Sequence, residues 1–282
     1  MNQLKLCAFA DESSPEIDHQ IEALRRNNIP LLEMRNVDGV NVSNISAETA
    51  TEVHKKLSRG GIGVWSIGSP FGKMKVTDDF APHLELFKRT LENAQILEAK
   101  CIRLFSFYAD EFTPAARDEV MLRLSAFIDA AKGSGLVLCH ENEVGIYGDT
   151  AMRCLDIHKT LPELKCVFDP ANFIHCDQDI REGWEMLHPY IYYLHIKDAL
   201  ADGRVVPAGQ GIGELPWLVR SYAELPGDVS GVMTVEPHLK VFAGFEELEI
   251  HNATKMDSFI YKTNDEAFDA AAAAIQKIVA AL

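Results

Sequence analysis

The sequence predicts an α/β protein folded as a (β/α)8 TIM barrel. Strand-like and helix-like segments alternate along the 282 residues and make eight βα units, and the strand-like segments are apolar throughout. Continuous apolar strands are typical of parallel sheets covered by helices, and eight such units in a chain of this length match a closed barrel. A doubly wound open sheet is the structural alternative, but no GxGxxG motif follows the first strand.

The first half of the chain holds four predicted strands, each followed by a helical pattern. The strands are placed at residues 4–9, 30–34, 62–67 and 101–107. The helices begin at Ser14, 47, 80 and Thr113, and the last three end near 57, 97 and 132. Ser14 and Thr113 each precede a proline, which is the pattern of an N-cap followed by proline at the first helical position.

The second half repeats the arrangement, with strands at 136–140, 165–168, 190–195 and 232–235. The helices that follow them are placed at 150–161, 179–187, 214–223 and 268–282. Two longer stretches, 200–213 and 238–264, would lie on the rim after the seventh and eighth strands, where lids are built. A split into two domains is the alternative but finds no support in this alternation, so we expect a single barrel domain over residues 1–282.

Composition excludes several classes of function. The net charge is −15, from 27 basic and 42 acidic residues, and no basic run is present. A partner rich in phosphate, such as nucleic acid or an anionic membrane, favours the opposite balance. No apolar run approaches the roughly 20 residues of a membrane span, and the N-terminus turns polar too soon for a signal peptide. The six cysteines form no CxxC pair, so we expect reduced structural thiols in a cytoplasmic protein.

Four short motifs follow the last four predicted strands. They are HENE from residue 140, DPAN from 169, HIKD from 195 and EPH from 236. Each motif offers one side chain able to bind a metal: Glu141, Asp169, His195 and Glu236. The carboxyl ends of barrel strands meet at one face, so the sequence predicts a single divalent metal site there. Three carboxylates and an imidazole suit Mn²⁺ or Mg²⁺ and are acceptable to Zn²⁺ or Co²⁺.

The charge of this ligand set restricts the chemistry. Three carboxylates and a neutral imidazole around a divalent ion leave a net charge near −1, which disfavours another anion on the metal. A neutral polyol or carbonyl compound could bind through two adjacent oxygens, and the metal would stabilise the enediolate that forms when a proton is lost. Glu141 and Glu236 would flank the substrate and move that proton. Each residue alone is more often a solvated loop or core group, but four consecutive strands with the same ending favour a shared site.

Further residues near the strand ends are candidates for contacts with ligands or substrate. Glu143 and His238 each lie two residues from a predicted ligand and would orient it, whereas Lys197 would contact a substrate oxygen. Several other residues near the strand ends could contact substrate, but we favour structural roles for them. Ser66 and Ser69 are left unassigned. The favoured roles are a Glu33–Arg35 ion pair, Arg103 beneath the barrel, Phe105, Phe107 and Tyr108 in the core, and a solvated Lys73. The loop glycines Gly209, Gly211 and Gly213 are weak evidence for phosphate binding.

The four motifs, in this order and spacing, resemble the sugar phosphate isomerase/epimerase superfamily, or xylose isomerase-like TIM barrels, over essentially the whole chain. This superfamily includes ketose 3-epimerases, hydroxypyruvate isomerase, inosose dehydratases and isomerases, and endonuclease IV. The resemblance implies the same four ligands and the same pair of glutamates as acid and base. It also marks substrate-binding positions: Asn172 stands where ketose 3-epimerases usually have a histidine, and Lys197 or Arg204 where they have an arginine.

The sequence therefore predicts a metal-dependent isomerase or epimerase of a small sugar or polyol derivative, acting through an enediolate. An inosose-type dehydratase on the same site and a sugar- or metal-binding protein without turnover are the alternatives. Endonuclease IV-like DNA repair is disfavoured by the charge and because His54 and His83 fall in predicted helices rather than at strand ends. We expect a small-molecule substrate, no nucleic-acid or membrane partner, and a homodimer as the assembly to consider.

Overall fold

A computed structural model describes residues 2–227, 229–245, 255–256 and 260–282. Eight parallel strands form a closed barrel, in which the first strand pairs with both the second and the last. This confirms the predicted fold and excludes the open sheet. The strands are β1 (Lys5–Ala8), β2 (Leu31–Met34), β3 (Gly63–Gly68), β4 (Cys101–Leu104), β5 (Val137–Glu141), β6 (Lys165–Phe168), β7 (Ile191–Ile196) and β8 (Val232–Val235).

Helices follow every barrel strand and cover the outside of the barrel. They are α1 (Ile17–Arg26), α2 (Ala47–Gly60), α3 (Ala81–Ile96), α4 (Pro114–Ala131), α5 (Ala151–Thr160), α6 (Pro170–His175), α7 (Ile180–Leu187), α8 (Leu215–Glu224) and α9 (Asn264–Ala280). The short helix α6 was not predicted, although Pro170 at its first position is a typical start. Within the described residues, no helix is long and apolar enough to cross a bilayer.

The two predicted proline-containing helix starts have different outcomes. Thr113 caps α4 as predicted, because its side chain accepts the N–H of Ala116. Ser14 does not cap α1, which begins three residues later at Ile17. The N–H of Ile17 instead donates to the carboxylate of Asp38 at 2.9 Å. Asp38, which is distant in sequence, thus binds a free N–H at the start of α1, a role that was predicted for Ser14.

Strand β4 is shorter than the predicted 101–107 and ends at Leu104. The chain then pairs with the segment that follows β3: Phe105 N–H donates to Phe71 O, and Phe107 N–H to Gly72 O, at 2.8 and 2.9 Å. Gly72 has a φ of +88°, and a Cβ there would overlap the carbonyl oxygen of Phe105. The apolar run therefore leaves the barrel wall and builds part of its rim.

The barrel interior changes character from bottom to top. Its floor is a closed apolar cluster of Cys7, Trp65, Cys101, Cys139, Val167, Tyr193 and Val232. A larger apolar layer lies between the strands and the surrounding helices. All six cysteines are free, and all except Cys176 are buried. Above the floor, towards the carboxyl ends of the strands, the inward side chains become polar and charged, and this upper layer holds the candidate site.

The two predicted rim segments are described to different extents. Segment 200–213 is ordered around a short antiparallel pair, Asp198–Ala199 with Val205–Val206. Segment 238–264 was predicted as a second lid, but 246–254 and 257–259 lie outside the described residues. Only its beginning and end therefore contribute to the account of the site.

Candidate metal centre

The four predicted ligands meet at the carboxyl end of the barrel. Glu141 is the last residue of β5, and His195 lies in β7. Asp169 directly follows β6, and Glu236 directly follows β8. These four strands are neighbours in the barrel. One ligand atom from each residue lies within 4.8 Å of the other three, and all four side chains are buried.

The donor atoms crowd around the imidazole of His195. Its Nδ1 lies 2.8 Å from Glu141 Oε1, 3.3 Å from Glu236 Oε2 and 3.9 Å from Asp169 Oδ2. Within the described residues, the buried atoms His195 Nδ1 and Asp169 Oδ2 make no hydrogen bond of good geometry, and their close neighbours, Glu141 and Lys197, are ion-pair contacts. Buried polar atoms are rarely left unpaired. A divalent cation bound to these oxygens and this nitrogen would satisfy both, so the donor set fits a metal.

Glu33, inside the barrel, orients the imidazole. Its carboxylate accepts the hydroxyls of Tyr193 at 2.9 Å and Thr234 at 2.8 Å, and lies 3.3 Å from His195 Nε2. Burial would raise the pKa of Glu33, but His195 and the other donors hold it below its usual value. The predicted Glu33–Arg35 ion pair is wrong, because Arg35 follows the end of β2 and pairs with Asp11 and Glu12 instead. Tyr193 and Thr234 were missed, though each lies two residues before a ligand.

We expect Glu33→Gln to weaken Mn²⁺ binding by roughly 10–100-fold, as is usual for residues that hold a ligand imidazole. The amide has a single acceptor oxygen, so it cannot receive both hydroxyls and the imidazole together. Titration of the metal-free protein with Mn²⁺ measures the change, and exposed Glu52→Gln serves as the control. An unchanged affinity in a folded Glu33→Gln protein would show that Glu33 does not orient the ligand.

Lys197 reaches the same centre from one side. Its Nζ lies 3.0 Å from Asp169 Oδ2 and 3.1 Å from Glu236 Oε2. Burial would lower the pKa of Lys197, but these two carboxylates raise it well above its usual value, so the side chain is an ammonium. Burial and the charges of Glu236 and Glu141 raise the pKa of Asp169 to about 7, against the effect of Lys197. Lys197 therefore lies at the centre, and its contact with a substrate oxygen stays a prediction.

Asn172 and His238 lie beside the ligands. The Asn172 amide donates to Asn142 O at 2.9 Å and lies 3.4 Å from Glu141 Oε1, while its backbone N–H donates to Asp169 Oδ1 at 2.9 Å. His238 Nδ1 is 3.4 Å from Glu236 Oε1. Burial holds the pKa of His238 well below its usual value, so its ring is neutral. Asn172 thus holds Asp169 by a hydrogen bond, whereas His238 borders Glu236 and its ring nitrogens make no hydrogen bond within the described residues.

Glu143 and Lys73 form an ion pair at the rim, with 2.8 Å between Oε2 and Nζ. The Lys73 side chain is only 9% exposed and lies over the ring of Phe105, 4.5 Å from its centroid. The expectation of a solvated Lys73 is therefore wrong. Arg204 is not brought to the centre: its half-exposed side chain pairs with Asp202 at 2.9 Å.

Arg103 also lies at the centre and not beneath the barrel as expected. Its Nη1 is 3.2 Å from Glu141 Oε2, and its guanidinium stacks on Phe105 at 4.3 Å. The error follows from the strand boundary, because a strand over 101–107 would place residue 103 low in the barrel. With β4 ending at Leu104, Arg103 stands at the top. Phe107 packs in the core as predicted, whereas Phe105 faces the mouth.

The glycine-rich loop after β7 is organised by Asp198. The carboxylate of Asp198 accepts the N–H groups of Ala199, Gly209, Gly211 and Gly213, at 2.8–3.0 Å. These amides could have bound a phosphate, but a side chain of the same protein already uses them. The weak indication of phosphate binding at these glycines is thereby removed, and Asp198 acquires a structural role that the sequence did not indicate.

Comparison with known proteins gives a family match. The family model described as "Xylose isomerase-like TIM barrel" matches residues 21–275. No curated protein matches the chain. The matched span contains all four predicted ligands.

Many solved structures share the fold at low sequence identity. An L-ribulose 3-epimerase matches with a TM-score of 0.76 and 16% identity, over 100% of this chain and 95% of that one. The IolI protein, solved with a bound zinc atom, matches with a TM-score of 0.72 and 18% identity, over 99% of both chains. The probable 3-DHS dehydratase AsbF from Bacillus anthracis matches with a TM-score of 0.73 and 15% identity, over 98% of this chain and 99% of that one. At these identities the likeness establishes the fold.

Proposed function

Because the chain belongs to the xylose isomerase-like TIM barrel family, we propose that it is a divalent-metal-dependent isomerase or epimerase of a small sugar or polyol derivative. The observation that carries the proposal is the cluster of three buried carboxylates and one imidazole at the barrel mouth. Two similar structures support it: one is an L-ribulose 3-epimerase, and another holds zinc.

Glu141, Asp169, His195 and Glu236 would hold one divalent ion. Mn²⁺ or Mg²⁺ suits the oxygen-rich set best, and Zn²⁺ or Co²⁺ is acceptable. When bound, such an ion would polarise a carbonyl group and stabilise negative charge on two adjacent oxygens. Glu33 would keep Nδ1 of His195 turned towards this position, as it does in the structure.

Glu141 and Glu236 are the proposed acid and base. They lie on β5 and after β8 and approach His195 Nδ1, at 2.8 and 3.3 Å. Burial would raise the pKa of Glu236, but Lys197 and His195 hold it well below its usual value, so it is ionised in the metal-free protein. One glutamate would remove the proton beside the carbonyl, and the other would return it to the enediolate.

The substrate-binding residues we propose border this pair. Lys197 and Asn172 would donate to substrate oxygens, while His238 and Glu143 would complete the wall of the site. Arg204 is left out of this set because its side chain pairs with Asp202. All of these groups belong to one barrel, which we propose acts as a single domain.

A dehydratase on the same site is the second candidate, supported by the similarity to a probable 3-DHS dehydratase. There the enolate would expel a neighbouring hydroxyl instead of being reprotonated. Metal analysis followed by a screen of ketoses, inososes and their phosphates in D2O distinguishes the two. Deuterium beside the carbonyl without loss of water supports the isomerase, and loss of water supports the dehydratase. Metal binding without turnover of any compound would indicate a binding protein.

We expect the affinity for Mn²⁺ to rise with pH across the range from about 5.5 to 8.5. In the metal-free protein, burial and nearby carboxylates raise the pKa of Asp169 to about 7. Burial would lower the pKa of His195, but Glu141 and Glu33 raise it well above its usual value. The ion must displace the His195 proton, and below about pH 7 the Asp169 proton as well, so its affinity falls by roughly tenfold per pH unit for each proton displaced. Titrations between about pH 5.5 and 8.5 measure this dependence. An affinity that is constant or increases towards acid would contradict it.

A further inference from the structure

Beside the candidate metal centre lies a second polar cavity, with a volume of about 230 Å³. It opens between the ends of β2, β3 and β4. Three basic residues line it, Arg35, Lys73 and Arg103, with Phe105 and several small or amide side chains. Within the described residues, no aspartate or glutamate lines this cavity. The carboxylates that contact these basic residues lie outside the lining: Asp11 and Glu12 beside Arg35, Glu143 beside Lys73 and Glu141 beside Arg103.

One edge of the Arg35 guanidinium is hydrogen-bonded to carboxylates, and Nη1 on the other edge is available to a ligand. Its Nε and Nη2 donate to Asp11 at 2.9 and 3.0 Å, and Nη2 also to Glu12 at 3.2 Å. Its guanidinium lies over the ring of Phe9, 4.5 Å from the centroid. Within the described residues, Nη1 makes no hydrogen bond, and it lies 3.7 Å from Glu236 Oε1.

Arg103 has even fewer hydrogen bonds. Its Nη1 lies 3.2 Å from Glu141 Oε2, and its Nε lies 3.9 Å from Glu33 Oε1. None of its N–H groups has a hydrogen bond to the part of the chain that the structure describes. The guanidinium carbon lies 4.3 Å from the centroid of the Phe105 ring, and Arg103 is 5% exposed. A rigid arginine with unused donors is suited to a planar or tetrahedral oxyanion.

We propose that this cavity binds an anionic group of the substrate, a carboxylate or a phosphate, while the adjoining carbons reach the metal centre. The two regions are contiguous, because Arg103 contacts Glu141 and Arg35 approaches Glu236. This proposal rests on the proposed function, and it narrows the substrate from a neutral sugar to a sugar acid or a sugar phosphate. The anion is held by guanidinium and ammonium groups, away from the negatively charged ligand set.

Direct binding of small anions tests the proposal without turnover. Inorganic phosphate and glycolate are titrated calorimetrically into the metal-free full-length protein. We expect saturable binding of at least one anion, weakened by about 10–100-fold in Lys73→Gln and Arg103→Lys, since each variant loses charge-assisted hydrogen bonds. Lys75→Gln is the matched control, because Lys75 is largely exposed and pairs loosely with Asp110 at 3.7 Å.

The outcomes distinguish a phosphate from a carboxylate, and they test the anion site separately from the proposed function. Binding of phosphate alone assigns a phosphate ester, and binding of glycolate alone assigns a carboxylate. No saturable binding of either, or equal weakening by Lys75→Gln, overturns the anion site. If Arg103→Lys does not fold, Lys73→Gln decides. Mn²⁺ binding with turnover of neutral sugars but no anion binding rejects this site only. Anion binding without Mn²⁺ binding rejects the metal-dependent isomerase only.

Discussion

Replacing Asp169 by asparagine should abolish metal binding and turnover while the barrel stays folded. The substitution removes one of three ligand carboxylates at a fully buried position. The loss in affinity should exceed the roughly 10–100-fold seen when a residue that merely supports a ligand is changed. Asparagine keeps an oxygen that can accept the N–H of Asn172, so the cap of α6 survives. His195→Ala should lose metal in the same way.

Asp179→Asn is the matched control for this experiment. Asp179 caps α7 by accepting the N–H of Glu182, so the same substitution tests a helix cap away from the centre. Metal content after dialysis, a Mn²⁺ titration and thermal unfolding followed by circular dichroism are measured on all proteins. Wild-type Mn²⁺ affinity in Asp169→Asn would remove this residue from the ligand set. Unfolding of Asp169→Asn but not of Asp179→Asn would indicate a mainly structural role.

The second large effect is expected at the two glutamates. With Mn²⁺ at saturation, Glu236→Gln and Glu141→Gln should each slow turnover by about 10²–10⁴-fold, the usual contribution of a positioned acid or base. Exchange of the substrate proton with D2O should fall with turnover, because an amide cannot accept that proton. Saturating metal separates this effect from weaker binding of the ion.

Glu163→Gln, on the exposed loop before β6, is the control for the loss of one negative charge. It should turn over and exchange deuterium like the wild type. Glu236→Gln that exchanges deuterium at the wild-type rate with Mn²⁺ bound would show that Glu236 is not the base. If only one of the two glutamate variants loses both exchange and turnover while the other keeps both, a single residue both removes and returns the proton.

The barrel and its four candidate ligands follow from local sequence. Strands buried on both faces appear in the sequence as continuous apolar runs, and the carboxyl ends of parallel barrel strands meet at one face. A charged residue that ends each of four consecutive runs is therefore sufficient to place the cluster. The unpredicted helix α6 was also visible locally, because Asp169 accepts an N–H as its cap and Pro170 follows.

The groups around the ligands depend on partners that are distant in sequence. Glu33 is 162 residues from His195, and no local pattern announces that contact. The position of Arg103 depends on where β4 ends, which is decided when residues 105–108 pair with the segment after β3. The start of α1 depends on Asp38, 21 residues from Ile17. These contacts form through the topology of the barrel, so the sequence alone misplaced them.

Chemical labelling of the thiols in the barrel floor can report how often the barrel opens. Cys7, Cys101 and Cys139 lie in the floor cluster with no exposed surface, and burial raises the pKa of the Cys7 and Cys139 thiols well above the usual value. An alkylating reagent needs an accessible thiolate, so these positions react only when neighbouring strands separate. With the half-buried Cys176 replaced by serine, the rate of labelling would measure how often the cylinder opens under native conditions.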